Sequence, residues 1–162
     1  MRLVACSTKV NYSYSSNLYL AMATWAETNG YPGTAKWLYA QSEEERLHML
    51  KFIHYINEKG GHALVPAFKI PPKAQKSIHS MFDEVLKHEQ YITESINAIV
   101  ELAVKERDFT TQSWIQWFVN EQIEEEAQVC QILDMLKLAG DGNLYLVDRD
   151  ILSLRQADSE GK

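Results

Sequence analysis

Four long segments of this chain repeat their apolar residues at alternating steps of three and four positions. The clearest is the third segment, where the repeating positions are Ile78, Phe82, Val85, Glu89, Ile92, Ile96, Ile99 and Ala103. Such spacing puts the side chains on one face of an α-helix, and a 3.5-residue repeat is typical of a helical-bundle seam. One member of this stripe, Glu89, is an acid among apolar residues. The sequence therefore predicts helices that pack along seams, with a carboxylate inside one of them.

Glycine and proline residues separate the segments and set their predicted boundaries. A weaker break lies at ERDFTTQ, where Asp108, Thr110 or Thr111 can cap a new helix. We predict four long helices and a short fifth one, at about 8–29, 34–59, 74–105, 110–139 and 147–156.

The lengths of the connections predict the topology. Short links join the first helix to the second and the third to the fourth, so each pair should form an antiparallel hairpin. The remaining link, GGHALVPAFKIPPKAQ, has about 15 residues and is long enough to run back along a whole helix. We therefore predict an all-α fold, a four-helix bundle with one long crossover and a short C-terminal helix. A length of 162 residues fits a single domain, with a divergent segment at 1–7 and a flexible tail at 157–162.

Composition excludes several classes of function. The net charge of −6 argues against nucleic acid or an anionic membrane as the main partner, because both attract basic surfaces. The two cysteines, Cys6 and Cys130, form no CxxC motif, which excludes rubredoxin-like and zinc-ribbon sites and fits a reducing compartment. No apolar run is long enough for a signal peptide or a membrane span, so we expect a cytoplasmic protein.

Residue types that bind metal ions lie in the middle of three seams. They are Glu45, His48, Glu89, Gln122 and Glu125. Buried ionised carboxylates cost several kcal/mol unless paired or metal-bound, and several together repel one another. A divalent or trivalent cation removes both problems. Glu45 and His48 are one helical turn apart, so both can bind one metal while the carboxylate bridges to a second. Oxygen-rich ligation with one histidine suits iron better than zinc.

Each of these features has a simpler interpretation when taken alone. The acidic runs SEEER and VNEQIEEEAQ can be solvated helix faces, as most charge runs are. A lone His48 is more often a core histidine than a ligand, and Trp37, Trp114 and Trp117 are expected to be packing residues. The coincidence of ligand types on three inward seams favours a metal centre.

Five blocks of the chain resemble bacterial non-haem ferritin, in order and at that family's spacing. They cover most of the chain from about residue 14 to residue 154 and read NLYLAMATW, EEERLHM, KHEQYIT, FVNEQIEEE and LYLVDRDILSL. The resemblance implies a hollow homo-oligomeric cage of about 24 copies. It also implies that Fe(II) is oxidised with O2 or peroxide at a di-iron centre inside each subunit, and that the ferric product is stored as a mineral.

The resemblance implies roles for the seam residues. Glu45 would bridge two irons, the first bound by His48 and the second by Glu89. Gln122 and Glu125 would lie near the second iron.

Further roles follow from the same resemblance. Glu44, Glu121 and Glu124 match a third iron site toward the cavity, and Tyr19 matches a tyrosine that can donate an electron. The helix after Asp148 would line a fourfold channel.

Related families differ at these positions. Bacterioferritin usually has a second E-x-x-H where this chain has Gln122-x-x-Glu125, and a haem-binding Met where this chain has Arg46. No haem is therefore expected. Rubrerythrins need a CxxC module, which the sequence does not contain.

The chain departs from the family at one position. Ferritins place a ligand Glu seven residues before the tyrosine matched by Tyr19, and this chain has Tyr12 there. A neutral phenol is a poor ligand. Three hypotheses stay open: an active ferroxidase cage, a storage cage with impaired ferroxidase, and a non-cage di-iron oxidase or plain helical module.

Overall fold

The fold is built from four long helices and a shorter fifth one. A computed structural model describes residues 12–65, 67, 69–72 and 75–160, with side chains described as far as residue 154. The helices are α1 (Tyr12–Thr28), α2 (Pro32–Glu58), α3 (Ile78–Lys105), α4 (Phe109–Ala139) and, after a 3-10 turn at Asp141–Asn143, α5 (Leu144–Glu160). This is the predicted all-α four-helix bundle with one long crossover and a C-terminal helix. Within the described residues, no helix is both long and apolar enough to cross a membrane.

The helix ends differ in part from the prediction. The helix α3 begins at residue 78 rather than near 74, because Ser77 caps it: its hydroxyl accepts from the Ser80 N–H at 3.1 Å, and the Ser80 hydroxyl accepts in return from the Ser77 N–H at 3.0 Å. The predicted start of the first helix at 8–11 lies outside the described residues, as do the segment 1–7 and Cys6. The helix α5 extends beyond the predicted 147–156 at both ends.

The link between α3 and α4 is closed without glycine. Arg107 has a positive φ of 55°, the Arg107 N–H donates to the Val104 carbonyl, and the Asp108 N–H donates to the Ala103 carbonyl. This is the hydrogen-bond pattern of a Schellman cap. The Asp108 carboxylate then caps α4, accepting from the Thr111 N–H at 3.1 Å and from its hydroxyl at 2.7 Å. The predicted cap at this break is confirmed, and the tight turn sets α4 against α3.

The core consists of two apolar clusters separated by a polar layer. The first cluster contains Tyr19, Met22, Trp37, Leu38, Phe82, Val85, Ile132 and Leu136, together with Val147 and Ile151 from α5. The second contains Tyr12, Phe52, Ile92, Ile96, Ile99, Ile115 and Phe118. Along α2, α3 and α4 alike, the buried residues between the two clusters include the predicted metal ligands. The polar layer is thus sealed at both ends by apolar packing.

Of the three tryptophans expected to be packing residues, Trp37 is fully buried in the first cluster. Trp114 packs beside the second cluster, stacked on Tyr55 with ring centroids 3.9 Å apart. Trp117 is 38% exposed, and the Lys51 ammonium lies over its ring. Trp117 is therefore partly a surface residue.

The helix α5 is anchored to the start of α2. The buried Asp148 carboxylate accepts from the Gly33 N–H at 2.8 Å and from the Thr34 N–H at 2.7 Å. These N–H groups belong to the first turn of α2, where the helix has no internal acceptors and its dipole favours a negative charge. The approach is so close that a Cβ atom on Gly33 would lie 2.0 Å from the Asp148 carbonyl oxygen. Position 33 therefore requires glycine for steric reasons.

We predict that Gly33→Ala destabilises the protein, although alanine is normally the better helix residue. The methyl group would push the α5 backbone away and weaken both hydrogen bonds to Asp148, at a cost of about 1–3 kcal/mol in the free energy of unfolding. Chemical denaturation at fixed protein concentration measures this. Gly142→Ala is the matched control, because a Cβ there meets no described atom within 4 Å. Equal stability of the two variants would contradict the steric argument.

Candidate metal centre

The polar layer is formed by buried side chains from all four long helices. They are Ser15 from α1, Gln41, Glu45 and His48 from α2, Glu89 from α3, and Glu121, Gln122 and Glu125 from α4, all at most 8% exposed. A concentration of carboxylates at this depth is unusual, since acidic residues are almost never fully buried unless they are partnered.

Helical periodicity explains why some acids of each run are buried and others are not. In the run SEEER, Glu43 is exposed and Glu44 is half-buried, whereas Glu45 is 1% exposed. His48 follows Glu45 by three residues and is also buried, so both lie on the inward face of α2. The interpretation of this run as a solvated face therefore fails at Glu45.

Glu89 is held by neighbours from two other helices. The buried Tyr19 hydroxyl donates a hydrogen bond to Glu89 Oε1. The Gln122 amide donates to Glu89 Oε2 at 3.1 Å and to the Glu89 carbonyl oxygen at 3.2 Å. Gln122 thus turns its nitrogen toward Glu89, which fixes the orientation of that carboxylate.

Glu125 also has a buried partner. The side-chain amide of Gln41 donates to Glu125 Oε2 at 2.6 Å, linking α2 to α4. Sequence reasoning did not identify Gln41 as a site residue. Its seam position, four residues before Glu45, was the available signal.

Glu45 has polar neighbours from α1 and α2. The Ser15 hydroxyl hydrogen-bonds the Glu45 carboxylate, and His48 Nδ1 lies 3.9 Å from Glu45 Oε1. Glu45 Oε2 is buried and has no hydrogen-bond partner among the described residues. Ser15 in turn lies 2.7 Å from His88 Nε2. Ser15 and His88 were both missed from the sequence, because neither is an acid on a seam.

Burial raises the pKa of Glu45 well above its ordinary value, and the negative charges of Glu89 and Glu125 raise it further. Burial also raises the pKa of Glu89, although hydrogen bonds from Tyr19 and Gln122 partly offset this. A carboxyl group whose pKa is raised by folding stabilises the fold only at acid pH, and that contribution is lost as the pH rises through the raised pKa. At neutral pH the layer therefore favours either protons or a multivalent cation.

His88 is affected by burial in the opposite direction. Burial lowers the pKa of this imidazole to about 4, so the ring is neutral near pH 7. Its ring lies edge-on to Tyr14 and Tyr19, with centroids 5.9 and 6.3 Å away.

A second grouping of ligand atoms overlaps the first. One ligand atom each from Glu44, His48 and Glu121 lies within 4.8 Å of the others. Glu44 is half-buried, whereas His48 and Glu121 are buried. Glu124, which was expected beside Glu44 and Glu121, is exposed and is not part of this group.

Tyr12 is enclosed by apolar and aromatic groups. Its side chain is 2% exposed, and its ring centroid lies 5.4 Å from His48, 5.4 Å from Phe52 and 5.9 Å from Phe118. The hydroxyl has no hydrogen-bond partner among the described residues. Burial and then the charge of Glu45 raise the pKa of this phenol, so it is neutral beside the carboxylates.

The sequence matches known proteins along most of its length. The pattern of the ferritin-like domain matches residues 10–139. A probable bacterial non-heme ferritin-like protein of Haemophilus influenzae is 41% identical over 143 residues, covering 87% of each chain. A bacterial non-heme ferritin of Campylobacter jejuni is also 41% identical, covering 87% of this chain and 86% of its own. That of Staphylococcus saprophyticus is 35% identical over 98% of this chain and 96% of its own.

A solved structure agrees with this result. The open pore ferritin from the archaeon Archaeoglobus fulgidus superposes with a TM-score of 0.90 at 34% identity, covering 93% of this chain and 96% of that chain. The match spans nearly the whole of both chains, including the helices that carry the polar layer. The chain belongs to the ferritin family.

Proposed function

We propose that this protein is an iron-storage ferritin. It oxidises Fe(II) to Fe(III) with O2 or peroxide at a centre inside each subunit and stores the ferric mineral in a hollow cage of about 24 copies. Membership of the ferritin family supports iron handling in general. One observation carries the proposal that the protein oxidises iron. Glu45, Glu89 and Glu125 are buried although they come from three different helices, and they are close enough that Glu89 and Glu125 raise the pKa of Glu45.

The proposed ligands are those that the family resemblance implies, and their burial in one polar layer supports them. Glu45 bridges two Fe(II) ions, His48 binds the first, and Glu89 binds the second with Glu125 beside it. Gln122 lies at the second ion and holds Glu89 in place through its amide. These are oxygen-rich sites with one imidazole, which suit iron.

Each Fe(II) gives up one electron in the reaction, and one O2 takes up two electrons and two protons to leave as hydrogen peroxide. When peroxide is the oxidant, it takes two electrons and two protons and leaves as two waters. The clustered carboxylates favour the oxidation of iron, because their negative charge stabilises Fe(III) more than Fe(II). Tyr19 is proposed as an additional electron donor, and Glu89 accepts its hydrogen bond and so lies where the phenolic proton can go.

The route to storage is proposed to pass through the second grouping. Glu44 and Glu121 approach His48, so an ion leaving the first position meets them next. The exposed Glu124 lies one helical turn after Glu121 on α4 and would extend this route toward the cavity.

We predict that Glu45→Ala/Glu89→Ala loses rapid Fe(II) oxidation, because both iron positions lose a carboxylate. Stopped-flow absorbance at a fixed ratio of Fe(II) to subunits measures the initial rate, which should fall at least about tenfold. Glu43→Ala/Glu94→Ala is the matched control, since it removes two exposed acids from the same helices.

Sizing of both variants shows whether the assembly is intact. A cage runs near roughly 450 kDa, about 24 times the 18.6 kDa subunit. An intact cage with unchanged oxidation would defeat the site assignment. A wild-type monomer or dimer would instead favour a non-cage oxidase or a helical module.

A second candidate function is a storage cage with a slow ferroxidase. The surroundings of Tyr12 favour it: a neutral phenol, packed against His48, occupies the place of a family ligand carboxylate. Iron would then be oxidised mainly on mineral already present.

We predict under this second candidate that Tyr12→Glu speeds the first turnovers of Fe(II) oxidation, since it adds a carboxylate beside His48. Single-turnover stopped flow on iron-free cages measures the effect. Tyr12→Phe is the control, because it keeps the ring and removes only the hydroxyl, and its rate should equal that of the wild type. A Tyr12→Glu cage that is no faster would sink the slow-ferroxidase candidate.

A further inference from the structure

Ser15 joins three helices at the edge of the polar layer. It lies on α1 and is fully buried. Its hydroxyl hydrogen-bonds the Glu45 carboxylate on α2 and lies 2.7 Å from His88 Nε2 on α3. The family resemblance gave no role to either Ser15 or His88.

The chemistry of the three groups fixes the direction of these hydrogen bonds. An ionised carboxylate can only accept, and a hydroxyl has one proton to donate. With Glu45 ionised, Ser15 must therefore donate to Glu45 and accept from His88. His88 must therefore carry a proton on Nε2, the nitrogen that faces the Ser15 hydroxyl.

The two oxygens of Glu45 are left in different environments. Oε2 has no hydrogen-bond partner among the described residues, so the Ser15 bond falls on Oε1. Oε1 retains a second lone pair, and Oε2 retains both. The carboxylate is thus held from the α1 side while Oε2 accepts no hydrogen bond from a described residue.

We propose that Ser15 is a positioning residue for Glu45 and that His88 orients the Ser15 hydroxyl. The inference rests on the proposed function, because it assigns to Glu45 the binding of Fe(II). Partners that orient a ligand carboxylate typically change metal affinity by roughly 10- to 100-fold when removed.

A purely structural role for Ser15 makes a different prediction, and Ser16 provides the comparison. The Ser16 hydroxyl donates to the Ser42 carbonyl oxygen at 2.8 Å, so it also ties α1 to α2. It contacts no carboxylate in doing so. Ser16→Ala therefore removes a hydrogen bond between α1 and α2 but leaves the hydrogen bond from Ser15 to Glu45 in place.

The test is an anaerobic titration of the iron-free cage with Co(II), a redox-stable substitute for Fe(II) whose visible absorption bands report its ligands. Ser15→Ala should weaken the tightest Co(II) binding by roughly 10- to 100-fold and change the visible spectrum. Ser16→Ala should leave both as in the wild type. Equal affinity and spectrum for Ser15→Ala and the wild type would overturn the proposal, as would equal losses in the two serine variants.

A pair of variants at position 88 tests the donor role of His88 and also serves if Ser15→Ala fails to assemble. His88→Gln keeps an N–H donor and should bind Co(II) nearly as the wild type does. His88→Leu has no donor and should behave like Ser15→Ala. Equal losses in both variants would overturn the role of His88.

A failure of the proposed function would give a different result from a failure of the positioning role of Ser15. If the proposed function is wrong, Glu45→Ala would bind Co(II) as tightly as the wild type does, whatever the serine variants show. If Glu45→Ala loses binding and Ser15→Ala does not, only the positioning role is wrong.

Discussion

Buried carboxylates repel one another at the centre of this helical bundle, and the packing of the helices has to accommodate that repulsion. Glu45, Glu89 and Glu125 are almost fully buried in the same polar layer. The negative charges of Glu89 and Glu125 raise the pKa of Glu45 and so make its ionisation more costly. Carboxylates in such a position need either protons or a cation. Four neighbouring side chains each donate a hydrogen bond to one carboxylate oxygen and so compensate only part of the negative charge of the layer. They are Ser15, Tyr19, Gln41 and Gln122.

The fold tolerates this layer because apolar packing seals it at both ends. One cluster, around Trp37 and Phe82, extends to α5, and the other surrounds Phe52 and Phe118. Carboxylates can be held in fixed positions when the helices that carry them cannot separate. The contact of Asp148 with the first turn of α2 extends this rigidity to the C-terminal helix. Stability and site geometry therefore have the same origin.

Much of the fold was predictable because seam periodicity and link length are local properties of the sequence. The burial of Glu45, His48 and Glu89 followed from their register with apolar neighbours. The partners Ser15, His88 and Gln41 were not recognised, since a hydrogen bond between helices depends on rotation and side-chain direction that one segment does not encode.

Other differences have equally specific causes. The helix α3 begins at residue 78 rather than near 74, because Ser77 and Ser80 form a reciprocal cap at its N-terminus. The sequence did not distinguish this pair from the other polar residues nearby. The resemblance implies a ligand Glu at the position of Tyr12, whereas the enclosure of Tyr12 by His48 and Phe118 could be seen only in the structure.

A crystal soaked anaerobically in Fe(II), with anomalous scattering used to locate the iron, shows directly whether Glu45, His48 and Glu89 bind two ions. We expect two peaks on opposite sides of the Glu45 carboxylate, one within bonding distance of His48 and the other within bonding distance of Glu89. Iron found only at exposed acids such as Glu43 and Glu94, with no peak within bonding distance of Glu45, would contradict it.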